Sequence, residues 1–143
     1  MYEGSASISI NASRAEVWDA LTSPPLIERY FFGTKLTTDW QVGAPMIFCG
    51  VYQGQSYEDR GTVLEFEPRS GLSYSYWSRF SGTEDLPEAR LIIRYRLDEE
   101  NGRVTVTMTT ANCATAEQAD HAARNWEIVL RGLKTLVEGG GEG

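Results

Sequence analysis

The side chains that most often perform catalysis or bind metals are sparse in this 143-residue chain. The single histidine, His121, falls on a predicted helix but off its apolar stripe, so we expect it to face solvent. Cys49 and Cys113 form no Cys-x-x-Cys pair, which favours two buried thiols over a zinc site. A glycine-rich phosphate loop, a nucleophile elbow and a Ser-His-Asp set are all missing from the sequence. We therefore predict no catalytic residue, no metal and no cofactor.

Glu58 and Asp59 are the paired carboxylates most worth testing as an acid–base site. Adjacent residues of a strand point to opposite faces, so the two cannot flank one substrate unless a bulge intervenes. Either carboxylate alone is a candidate for a pocket. The favoured interpretation is that they form ion pairs with Arg60 or Arg79 at the sheet surface.

Aromatic residues are numerous, at 11% of the chain. Tyrosines on an inward sheet face supply apolar walls with hydroxyl tips, a mixture typical of ligand pockets, although aromatic residues also fill ordinary cores. Tyr74 and Tyr76 share one face of a predicted strand, and Trp77 faces away. A bulge would exchange Tyr76 for Trp77, so the sequence leaves open which of the two points inward.

Charge and composition limit the classes of partner. The net charge is −7 with a pI near 4.7, which disfavours nucleic acids and anionic membranes. No apolar run approaches the ~20 residues that span a bilayer. The first residues, MYEGSASISI, do not resemble a signal peptide, so a cytoplasmic location is expected.

The elements that would position these side chains begin with an alternating strand at residues 5–11. Ser13 and Glu16 match a capping box, so a short helix should begin at Arg14 and stop before Pro24 and Pro25. A second helical segment is expected at about residues 26–30. Alternation, β-branched residues and glycine turns then predict six antiparallel strands, at about 34–39, 45–52, 57–67, 71–79, 89–98 and 103–112.

The last predicted helix begins after Thr115, where Gln118 offers a second capping box, and runs to about Val137. Its inward stripe is small at Ala119, Ala122 and Ala123 and becomes bulky from Trp126 onward. The alanine end is therefore expected to leave a gap between helix and sheet. Residues 139–143 form a glycine-rich tail that we expect to be flexible.

The order of elements predicts an α+β domain over residues 1–138, with its helices on one face of the sheet. This order resembles the helix-grip fold of the START-like, or SRPBCC, superfamily. The motifs resemble the branch named after the activator of heat-shock-protein-90 ATPase homologue. Those motifs are Glu16-Val17-Trp18-Asp19-Ala20-Leu21, Asp39-Trp40-x-Val42-Gly43, the run from Tyr57 to Pro68, Leu72-Ser73-Tyr74, and Trp126-x-x-Val129-Leu130-x-x-Leu133-Lys134.

The resemblance implies a curved antiparallel sheet of about seven strands wrapped around a long C-terminal helix, with two short helices after the first strand. It also implies a hydrophobic cavity between sheet and helix that binds a small hydrophobic or aromatic ligand, as related proteins bind lipids. An enzyme of cyclase-like or hydrolytic type in the same pocket and a chaperone-interacting protein are the alternatives, and the chain is expected to be a monomer or a weak homodimer. The candidate pocket residues are Phe32, Phe48, Tyr74, Tyr76, Tyr95, Met108, Ala119, Ala122, Ala123 and Trp126.

Overall fold

The structure, a computed structural model, describes residues 2–31, 33–77 and 90–139. One seven-stranded antiparallel sheet has the strand order β1-β7-β6-β5-β4-β3-β2. The elements in chain order are β1 (Tyr2–Ile10), α1 (Arg14–Thr22), α2 (Pro24–Tyr30), β2 (Lys35–Thr37), β3 (Pro45–Tyr52), β4 (Gln55–Glu67), β5 (Gly71–Trp77), β6 (Leu91–Glu100), β7 (Arg103–Cys113) and α3 (Ala116–Glu138). The predicted α+β helix-grip class is confirmed.

The sheet follows the alternation in the sequence. In β6, Ile93, Tyr95 and Leu97 are buried while the intervening arginines are exposed. Asn101 and Gly102 join β6 to β7, and both have positive φ, at 53° and 77°, as a two-residue type I′ turn requires. The sheet therefore has one apolar face, and that face turns toward the helices. The predicted strand ends at 78–79 and 89 lie outside the described residues.

The short helices differ from expectation at one boundary. Ser13 and Glu16 form the complete predicted capping box of α1. Pro24 and Pro25, which were expected only to stop α1, also occupy the first two positions of α2. Proline is favoured there because the first amides of a helix have no intrahelical partner to lose.

The cap of α3 is only half of the predicted box. The Thr115 hydroxyl accepts a hydrogen bond from the Gln118 amide at 3.0 Å, as expected. The Gln118 side chain instead accepts from the amide of Ala114 at 2.7 Å, one residue before the cap. The helix still begins and ends close to its predicted bounds. Within the described residues, no helix is long and apolar enough to cross a membrane.

Both ends of α3 are seated on β1. Near the N-terminal end, a Cβ added to Gly4 would lie 2.1 Å from the Ala119 carbonyl oxygen, so only glycine permits this approach. Near the other end, the Lys134 ammonium donates to the Ser9 carbonyl at 2.9 Å, and Glu138 accepts from the Asn11 amide at 2.9 Å. The expected gap therefore does not lie beneath Ala119, where helix and sheet are in closest contact.

Candidate functional site

A cavity of about 400 Å³ lies between α3 and the inner face of the sheet, on the side away from β1. Its helix wall consists of Gln118, His121, Ala122, Asn125, Trp126 and Val129. Its sheet wall consists of Tyr57, Tyr74, Tyr76, Leu91, Ile93 and Thr110. Phe31 and Thr34, from the segment between α2 and β2, complete the lining.

The helix wall follows α-helical spacing, which brings these side chains onto one face. Ala122 is half-buried and leaves space that a larger side chain would fill. His121 and Asn125 are exposed, so the cavity opens to solvent beside them. A small residue flanked by polar ones therefore forms the mouth of the cavity.

Trp126 is fixed at the inner end of this wall. Its indole Nε1 donates to the Thr110 hydroxyl at 2.6 Å, and both residues are buried. Phe31 contacts the same indole edge-on, with ring centroids 5.9 Å apart. This geometry holds the Trp126 ring rigidly across the cavity, because its polar and apolar parts are both engaged.

The floor of the cavity contains a pair of tyrosine hydroxyls. The hydroxyl oxygens of Tyr74 and Tyr95 lie 3.0 Å apart in a buried hydrogen bond. Burial raises the pKa of both side chains, so both remain neutral phenols. Of the pair, Tyr74 lines the cavity, and Tyr95 supports it from the adjacent strand.

Tyr76 contacts the buried carboxylate of Asp59. The Tyr76 hydroxyl donates a short hydrogen bond to Asp59, which is only 4% exposed. Burial, and then the neighbouring carboxylate, raise the pKa of Tyr76. Gly61 is paired with Tyr76 across β4 and β5, and a Cβ there would lie 2.3 Å from the Ser75 carbonyl oxygen. From this register position the Tyr76 side chain reaches Asp59, two residues away on β4.

A second hydroxyl pair forms the wall opposite α3. The Thr34 and Tyr57 hydroxyl oxygens are 2.9 Å apart. Tyr57 reaches this position by crossing Gly50, its partner on β3, where an added Cβ would lie 2.5 Å from the Tyr57 hydroxyl. Gly50 on β3 thus makes room for Tyr57 in this wall.

The ten candidate pocket residues separate into groups. Tyr74, Tyr76, Ala122 and Trp126 line the cavity. Phe48, Tyr95 and Met108 are buried in the core outside the lining. Ala119 packs on β1 as described, Ala123 is half-buried outside the lining, and Phe32 lies outside the described residues. Tyr76, and not Trp77, points inward. The bulge in this strand pair lies on β4 between Val63 and Glu65, so it does not exchange the two residues on β5.

Several lining residues were not among the sequence candidates. Gln118, Asn125 and His121 share a helix face with Ala122, and this spacing was visible in the sequence. His121 was expected to face solvent and does so, but it also borders the cavity mouth. Thr34 gave no local signal, because its place depends on the return of the chain from α2.

The two paired carboxylates have different environments. Glu58 forms the predicted surface ion pair with Arg60, at 3.4 Å. Asp59 is buried instead of lying at the surface, and its other predicted partner, Arg79, lies outside the described residues. Both cysteines are free thiols; Cys113 is buried, and Cys49 is only partly so, which makes its predicted burial incomplete.

A second depression of about 400 Å³ is lined mainly by charged residues around the β4–β5 turn and β6. Its charges largely face one another: Arg96 pairs with Asp98 at 3.4 Å, and Arg94 lies 3.8 Å from Glu65. Such exposed pairs contribute little and are screened by salt. The cavity beneath α3 is therefore the better candidate for a ligand site.

Comparison with known proteins agrees with this architecture. Residues 11–138 match the model of the family described as Activator of Hsp90 ATPase homolog 1-like protein. Protein ChR145 from Cytophaga hutchinsonii, solved in solution, is 36% identical, with 97% of this chain and 95% of that chain covered and a TM-score of 0.83. No curated protein matches the sequence.

Two more distant structures share the fold. The Aha1 dimer from Colwellia psychrerythraea, solved in solution, is 20% identical, with 100% of both chains covered and a TM-score of 0.75. DynU16, a protein in the dynemicin biosynthetic locus, is 19% identical, with a TM-score of 0.79 over 96% of this chain and 48% of that chain.

Proposed function

Because the chain belongs to the family of activator of Hsp90 ATPase homolog 1-like proteins, we propose that it binds a small apolar or aromatic molecule between α3 and the sheet. The cavity of about 400 Å³ carries this proposal. Its volume lies in the range of small-molecule sites, and its lining combines aromatic and aliphatic walls with a few hydroxyl groups. The similarity to DynU16, a protein in a biosynthetic locus, is compatible with a small organic ligand.

Filling the cavity tests the proposal. Ala122→Trp places a large ring at the half-buried position of the helix wall and should abolish binding of N-phenyl-1-naphthylamine, a neutral dye whose emission increases in apolar surroundings. Ile128→Trp is the matched control, since Ile128 is 50% exposed on α3 and outside the cavity lining. We expect at least a tenfold loss of affinity for the first variant and none for the second, measured by fluorescence titration. Unchanged binding by folded Ala122→Trp protein would refute the proposal.

An enzymatic role is the second candidate, and the Asp59–Tyr76 pair would be its acid–base group. General acid–base catalysis works best when the pKa of the catalytic group lies near the working pH. The pKa of Tyr76 is raised by burial and by Asp59, so its hydroxyl retains its proton at neutral pH. This favours a binding role for Tyr76 over proton transfer.

Association with other proteins receives weaker support. The large exposed apolar side chains of the described residues are Tyr2, Val42, Val51, Leu64 and Ile128, and they come from five separate segments. In the described part of the chain, chaperone contact therefore has no contiguous apolar surface to support it. The dimeric state of the Colwellia relative supports weak self-association, which light scattering across a range of protein concentrations would detect.

A further inference from the structure

The hydrogen-bond polarity of the Tyr76 hydroxyl is fixed by Asp59. A phenol has one proton to donate and can accept through its oxygen. Tyr76 donates its proton to the Asp59 carboxylate. The Tyr76 hydroxyl therefore offers a molecule in the cavity only a hydrogen-bond acceptor, whereas a free tyrosine offers a donor and an acceptor.

The surroundings of Tyr76 make this acceptor selective. Its ring packs edge-on against Phe48, with centroids 5.1 Å apart, and Leu91 is its partner on β6. Tyr76 is half-buried on the cavity wall, so an apolar ligand seated against it would exclude water from its hydroxyl. In such an environment a polar group without a partner is costly, and a chain of hydrogen bonds that ends on a carboxylate is strengthened.

Building on the proposed function, we infer that the ligand has a flat apolar body bearing a hydrogen-bond donor, a phenolic or alcoholic O–H or an N–H, which binds the Tyr76 oxygen. The resulting chain runs from the ligand to Tyr76 and on to Asp59. A ligand whose only polar group is a carbonyl or an ether has no proton to donate, so it forms no hydrogen bond with the Tyr76 oxygen. The Asp59–Tyr76 pair is then the element of the cavity that selects its ligand.

Three probes of one shape separate this inference from simple apolar binding: 4-hydroxybiphenyl, 4-acetylbiphenyl and biphenyl. Affinities are measured by titration calorimetry or by intrinsic tryptophan fluorescence. The quantity of interest is the affinity ratio of the hydroxyl probe to biphenyl, compared between wild type and Tyr76→Phe, because the solvation of each probe cancels in this comparison. We expect the ratio to fall about fivefold in Tyr76→Phe, the effect of one hydrogen bond.

Tyr30→Phe is the matched control. Tyr30 is also a buried tyrosine, and its hydroxyl donates to the Ala20 carbonyl at 2.9 Å, outside the cavity lining. Its substitution should leave the ratio unchanged. A loss shared equally by both variants would show that buried hydroxyls matter only for folding, and would overturn the inference.

Asp59→Asn provides a readout that a structural role would not produce. The amide can donate to Tyr76, which frees the phenolic proton to point into the cavity. The acetyl probe should then gain about fivefold relative to biphenyl. If this variant does not fold, the comparison of wild type with Tyr76→Phe still decides the matter.

The outcomes separate the two proposals. If all three probes bind wild type and the hydroxyl-to-biphenyl ratio is the same in Tyr76→Phe, the selective role of Asp59 and Tyr76 is wrong and the apolar cavity stands. If no probe binds folded wild-type protein, both proposals fail. A ratio that falls in Tyr76→Phe and not in Tyr30→Phe supports both.

Discussion

The two halves of α3 serve different purposes. The C-terminal half is packed into the core through Leu130 and Leu133, each at most 1% exposed. The N-terminal half touches the sheet closely at Ala119, and beside that contact Ala122 borders a cavity of about 400 Å³. One helix is thus anchored at both ends and open along one side. The two alanines have different roles: Ala119 lets the backbones of α3 and β1 approach closely, and Ala122 leaves the space of the cavity open.

Alkaline pH should destabilise the fold through the buried tyrosines at and under the cavity. The pKa values of Tyr30, Tyr74, Tyr76 and Tyr95 are all raised by burial, and three of the four lie at or under the cavity. A raised folded-state pKa favours the protonated form, so this stability is complete below about pH 10, the ordinary tyrosine value, and is lost as pH rises above it. We expect these four residues to ionise together with unfolding. Absorbance at the phenolate band, followed in parallel with circular dichroism, would contradict this if all seven tyrosines ionised while the fold persisted.

Leu133→Ala should be the most damaging core substitution at the packed end. Leu133 is fully buried, so truncation to alanine leaves a cavity in the core. Because the surroundings fill such a cavity only partly, we expect a loss of about 3 kcal/mol in the free energy of unfolding. Ala122→Leu, at the cavity, should change that free energy by less than about 1 kcal/mol, because it extends into space that already exists. Urea denaturation of both variants measures the contrast. Equal losses would mean that the two halves are packed alike.

Gly4→Ala should cost less, about 2 kcal/mol. The added Cβ would overlap the Ala119 carbonyl, and the backbone of α3 must move to relieve it. This shift should also change the affinity of a cavity ligand, since Ala122 lies one turn further along the helix. Thermal denaturation and dye titration of the same variant test both effects, and an unaltered melting temperature would argue against close contact at this end.

The fold could be predicted because its signals are local. Alternation and glycine turns predicted the six strands after α2, and Ser13 with Glu16 marked the start of α1. The same period of two placed Tyr74 and Tyr76 on one face, but only the register showed that Tyr76 and not Trp77 points inward. Motif order did the rest, since residues 11–138 match one family.

The site was only partly predictable because its geometry depends on contacts between distant parts of the chain. Nothing near Ala119 reveals that Gly4 lies against it, so its small size was interpreted as a gap. The contact between Tyr76 and Asp59 joins two strands, and it becomes visible only once the register of β4 and β5 is known. Phe48 and Met108 were candidates for the pocket and are buried in the core instead, because the distinction between core and cavity depends on depth beneath the helix, which periodicity does not report.

The most direct test of the cavity is an intermolecular NOE measurement on isotope-labelled protein with unlabelled 4-hydroxybiphenyl. The ring protons of the probe should show NOEs to the methyl groups of Ala122 and Val129 on the helix wall and of Ile93 on the sheet wall. NOEs confined to exposed methyl groups such as those of Val51 and Ile128, with none to these three, would contradict a ligand site between α3 and the sheet.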